Sequence, residues 1–99
     1  MENFNKLTPA ETERLAKLSE ECGEVVQIIG KILRHGYESS SPFDSSCTTN
    51  RELLMNELAD IMRITSLMMA INDLDPAYFE ERMAKPMSMA YFHHQEVQE

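Results

Sequence analysis

The sequence predicts an all-α protein: a small helical bundle in a single domain over residues 1–99, completed by self-association. Three observations carry this. The composition is 42% apolar with eight Met, no Trp, three Gly and four Pro, which suits helices better than strands and turns. Apolar residues recur at positions 15, 18, 22, 25, 29 and 32, alternating steps of three and four as one face of a helix does. Two Thr-x-x-Glu sequences, at Thr8 and Thr49, have the form of capping boxes. A domain of this length buries only a modest core. Met55, Met62, Met68 and Met69 wrap widely around the second helix, more than two neighbouring helices can cover, so a homodimer or homotetramer is expected.

In chain order, Thr8-Pro9-Ala10-Glu11 supplies a hydroxyl cap, proline at the first helical position and the Glu of the box, and helix one follows as far as His35-Gly36, where Gly can take the left-handed closing conformation. Residues 36–49 are rich in Ser, Pro and Asp and read as a loop. A loop this long in a small domain is often functional, although plain flexibility is commoner. Thr49 starts helix two, expected to reach about Asn72, and Asp75-Pro76 caps a third helix that Pro86 must interrupt. The tail, 87–99, ends in a stretch from Tyr91 expected to be helical or frayed, with His93-His94 able to catch stray metal.

The net charge of -8, with seventeen acids to nine bases, argues against nucleic acid as a partner, since phosphate backbones are held by clustered Lys and Arg. It suits cation binding. Cys22 and Cys47 have neither the number nor the spacing of a disulfide framework or zinc site and read as free thiols. No segment approaches a membrane span and the first residues lack a signal pattern, so a cytoplasmic location and no membrane partner are expected.

The functional signal is acid inside apolar pattern. With Leu15 at zero and about 100° per residue, Val26, Leu33, Leu15, Cys22, Ile29, Leu18, Val25, Ile32 and Ile28 fill an arc from about +20° to about -140°. Glu21 falls inside that arc at about -120°, Glu24 on its border near 180° beside Lys17 and Lys31, and Glu20 points away near +140°. On helix two, Glu57 and Asp60 lie among Leu53, Ile64, Leu67, Met68 and Ile71. For any one of these acids, a surface ion pair with Lys17 or Lys31 is the ordinary explanation. Two inward pairs are different, because buried carboxylates raise one another's pKa and oppose folding unless a cation joins them. Oxygen donors without His or Cys select Mg²⁺, with Mn²⁺ as substitute, and Mg²⁺ commonly takes substrate phosphates as further ligands. A di-iron bundle would need Glu-x-x-His pairs, which are missing here.

The segments Leu18-Ser-Glu-Glu-Cys-Gly-Glu-Val-Val-Gln and Asn56-Glu-Leu-Ala-Asp-Ile-Met resemble the Glu-Glu-x-x-Glu and Glu-x-x-Asp motif helices of the MazG-like all-α NTP pyrophosphatases, over about residues 10–70. The small size and Arg34-His35-Gly36-Tyr37-Glu38-Ser39 look most like the compact members common in phages, for which the compartment would be the host cytoplasm. The resemblance implies the family's helical bundle and Mg²⁺-dependent cleavage of a nucleoside triphosphate to monophosphate and pyrophosphate. By motif position it makes Glu21, Glu24, Glu57 and Asp60 the metal ligands, with Glu24, or Glu20 if the oligomer turns it inward, orienting the attacking water.

Three features depart from the family pattern. Residues 36–49 look like an enlarged spacer, Asn56 stands where the family often has another Glu, and the third helix does not clearly match the family's downstream Lys and Asn positions. Lys31 and Lys17 are candidate phosphate contacts, and Tyr37 and Phe43 candidate stacking partners for a base. Rival readings are a non-catalytic acidic interaction module and a nucleotide sensor that binds without cleaving.

Overall fold

Thr8 starts the architecture. Its hydroxyl accepts the Glu11 amide at 3.1 Å while its own amide donates to Glu11 Oε1 at 2.8 Å, and Pro9 follows where a missing amide costs nothing. The computed structural model describes residues 4–94. In it α1 spans Pro9–His35, about 40 Å at the usual rise. Gly36, at φ 88, closes the helix by donating its amide to the Ile32 carbonyl at 2.7 Å.

The 36–49 connection is a held loop. Asp44 gathers it, accepting the Ser46 amide at 2.9 Å, the Ser46 hydroxyl at 2.6 Å and the Thr48 amide at 3.2 Å. These bonds hold the Asp44 carboxyl below its ordinary pKa. At the neck, Ser40 and Thr49 form an antiparallel bridge, the Asn50 amide donates to the Ser39 carbonyl at 2.8 Å, and Asn50 Nδ2 donates to the Gly36 carbonyl at 3.1 Å. The Arg51 guanidinium lies 4.2 Å from the Tyr37 ring centroid and pairs with Glu38 at 2.7 Å.

Helix α2, Asn50–Ala70, opens on the second capping box, Thr49 with Glu52. It ends two residues short of the expected Asn72, because Asn72 turns left-handed at φ 67 and the amides of Asp73 and Leu74 both donate to the Met68 carbonyl. Asn is one of the few side chains that take this conformation cheaply. Asp75 caps α3, Pro76–Met83, by accepting the amides of Ala77 and Tyr78. Pro86 stops the helix before reaching it, since the residue ahead of a proline is pushed away from helical angles. One 3₁₀ turn follows, Met89–Tyr91, and residues 92–94 are not helical, so of the two expectations for the tail, helical or frayed, the helical one is not found as far as His94. Positions 95–99 of that tail lie outside the described residues.

Helices α1 and α2 form an antiparallel hairpin. At the open end the Arg14 guanidinium grips the Asp73 carboxylate with two bonds of 2.6 and 3.0 Å. Among the described residues, Ile28 and Met68 are the buried apolar side chains, while Val26, Leu33, Met62 and Met83 are more than two-thirds exposed. The radius of gyration is 17.6 Å, against about 13 Å for a compact chain of this length. Along α2, Ile61, Met62 and Met69 line an open apolar groove of about 590 Å³ with Phe79 and Met83 of α3. The described residues contain no strand, and no helix among them is long and apolar enough to cross a membrane.

Candidate metal centre

The side of α1 that carries Ile28 to α2 also carries Glu21, whose residue exposure is 4%. One of its oxygens, Oε1, receives Lys17 Nζ at 2.9 Å from one turn earlier. The other, Oε2, is closed off from solvent with no hydrogen-bond partner, and so is Oε2 of Glu57 on α2. A buried carboxylate oxygen without a donor is an uncompensated cost.

Glu20, Glu21 and Glu24 each place a carboxylate oxygen within 4.8 Å of the others, and Glu21, Glu57 and Asp60 do the same. Glu21 belongs to both sets, so acids from the two helices join through it. The crowding shows in the titration of Glu57, which is pushed up to about 7 by sharing a proton with Glu21, then by Glu24 and by burial. Glu21 moves the other way, held below its ordinary value by that proton from Glu57 and by Lys17.

Asp60 sits at the rim rather than deep in the stripe. Its side chain is partly exposed, with Arg63 Nη1 3.5 Å away. The reason is how α2 is turned: Glu57, Ile61, Ile64 and Met68 are shielded, whereas Leu67, on Asp60's side, is left half-exposed. Glu20 is exposed beside Lys17 at 3.7 Å. Lys17, expected at a phosphate, therefore spends its charge on Glu20 and Glu21.

A cleft of about 460 Å³ opens onto this cluster, lined by Lys17, Glu21, Asp60, Arg63, Ile64 and Leu67. Arg63 on its rim is a cation that the sequence analysis does not single out. Lys31 lines a second cleft, of about 370 Å³, with Arg34, His35 and Ser39 to Ser41. The Lys31, Arg34, His35 spacing on one helix end was the available signal for that basic group. Tyr37 is stacked under Arg51, Phe43 is 96% exposed, and neither ring lines either cleft.

The residues fit a hard divalent cation. Every converging donor is a carboxylate oxygen, two of the oxygens are buried without partners, and the neighbouring lysine ammonium reaches Glu20 and Glu21 but leaves Glu57 bare. Fold and site together define an all-helical protein with an acid-lined cleft between two antiparallel helices. Compared with known family models, curated proteins and solved structures, the chain matches none.

Proposed function

We propose that the chain is a Mg²⁺-dependent nucleoside triphosphate pyrophosphohydrolase, converting an NTP or dNTP to the monophosphate and pyrophosphate as a homodimer or homotetramer. The supporting observation is the pair of partnerless buried oxygens on Glu21 and Glu57, at the positions the two motifs assign to the metal. Glu21, Glu24, Glu57 and Asp60 would hold the cation. When bound, it neutralises charge developing on the phosphates and lowers the pKa of a bound water.

This chain's side chains do the rest. Glu24, grouped with Glu20 and Glu21, orients the water that attacks the α phosphorus and takes its proton, with Glu20 as the alternative. The α–β phosphoanhydride bond breaks and pyrophosphate leaves. Lys31 and the adjoining Arg34 supply positive charge along the same face of α1, about 10 Å beyond Glu24. Chromatography of reactions with each NTP and dNTP, with and without Mg²⁺, tests the proposal. Monophosphate and pyrophosphate are expected only with the metal. Orthophosphate release, or no turnover of any nucleotide, overturns it.

A further inference from the structure

The last turns of α1 run against the charge of the chain. From Val25 to Tyr37 the sequence carries Lys31, Arg34 and His35 and no acid, in a protein of net charge -8. Arg14, Lys17, Arg51 and Arg63 each pair with a carboxylate, whereas Lys31 and Arg34 pair with none among the described residues. Cations near a helix C-terminus ordinarily answer its carbonyls. Here other donors already do so: the Ile32 carbonyl receives the Gly36 amide, the Gly36 carbonyl receives Asn50 Nδ2, and the Tyr37 carbonyl receives the Arg51 amide. The basic side chains are spare.

What they face is hydroxyl. Lys31, Arg34 and His35 line one wall of the cleft of about 370 Å³, and Ser39, Ser40 and Ser41 line the other. These serines are held in place by main chain: the Ser39 carbonyl takes the Asn50 amide, and Ser40 bridges Thr49. The Ser39 and Ser40 hydroxyls have no partner among the described residues. Asp44, the acid that lines the cleft, has its oxygens taken up by Ser46 and Thr48. On α1, Lys31 stands about 20° from Glu24 and about 10 Å farther along, so the cleft opens on the side of the carboxylates and away from the exposed Val26 and Leu33. No residue lines both this cleft and the acid-lined one.

We propose that this cleft is a receptor for a phosphate-class dianion, separate from the metal centre and independent of the metal. Arg34 brings a planar fork of donors, Lys31 a point charge and His35 a ring N–H, while Ser39 and Ser40 add the neutral donors that distinguish a built oxyanion site from a patch of positive charge. The volume falls in the range of small-ligand sites, with room for the group that carries the phosphate. A dianion held there ties the end of α1 to the 39–41 segment across the neck of the loop. This goes beyond the proposed function, in which Lys31 and Arg34 lend charge but receive no ligand of their own.

Calorimetric titration of the full chain in EDTA, at constant ionic strength, tests it with three probes: inorganic phosphate, pyrophosphate and a nucleoside monophosphate. One saturable site is expected, and the probe bound tightest tells whether a free ion or the phosphate end of a nucleotide is its source. The Lys31→Gln, Arg34→Gln double variant, which keeps good helix formers on an exposed face, should bind at least about tenfold more weakly. The Ser39→Ala, Ser40→Ala variant leaves net charge and the main-chain bonds of the neck unchanged, so it should stay folded by circular dichroism and still bind several-fold more weakly. Glu57→Gln should bind as the wild type does. Absence of saturable binding to all three probes, undiminished binding in either double variant, or loss of binding in Glu57→Gln overturns the proposal. The titration needs neither metal nor turnover, so its failure and that of the nucleotide assay are told apart.

Discussion

Glu57 is the residue on which the site's chemistry and the protein's stability meet. Its folded pKa of about 7 stands above its ordinary value of 4.5, so between those values the folded chain keeps a proton that the unfolded chain has released. Stability therefore falls as pH rises through that window. Thermal melts of chelator-treated protein should show Tm dropping between about pH 5 and about pH 7.5. Glu57→Gln should remain helical, flatten the slope and abolish turnover. Mg²⁺, which competes with the proton, should raise Tm more above pH 7 than below it. An unchanged slope in the variant would show that the proton resides elsewhere. Glu21 contributes with the opposite sign, as its depressed pKa stabilises the fold above its ordinary range and is lost on acidification.

Among the elements, caps and buried side chains have separable effects. Thr49→Ala removes the acceptor for the Glu52 amide and should cost about 1 kcal/mol. Met68→Ala, emptying a site that is 2% exposed, should cost about 2–5 kcal/mol. Urea denaturation followed by circular dichroism measures both. Helix starts were legible because Thr8, Thr49 and Asp75 each carry a hydroxyl or carboxylate that satisfies an amide within three residues. Acid inside the apolar arc also picked out the buried Glu21. The end of α2 was less legible, since Asn72 enters the left-handed region only because its neighbours' amides fold back on Met68. Position on a wheel could not fix how far α2 is rolled, and that roll puts Asp60 at the rim; the pairing of Lys17 with Glu21 is instead a one-turn contact within α1. The order within 36–49 depends on the non-periodic reach of Asp44 to Ser46 and Thr48.

At the scale of the whole molecule, the hairpin is two-faced, with carboxylates and cations on one side and an uncovered apolar surface on the other. Its extents of 49 × 38 × 21 Å are those of a slab. The neck at Ser39, Ser40, Thr49 and Asn50 fastens the slab at one end, as the Arg14–Asp73 clamp does at the other. Everything between residues 41 and 48 therefore hangs beyond a closed fastening, with Phe43 standing out into water. A protease should find it. Chymotrypsin is expected to nick the backbone after Phe43 into fragments that separate on a denaturing gel yet co-elute under native conditions, held by the fastenings and the helix seam. That would make the continuous peptide link dispensable once the fold is formed, and the two pieces, expressed apart, candidates for reassembly by complementation.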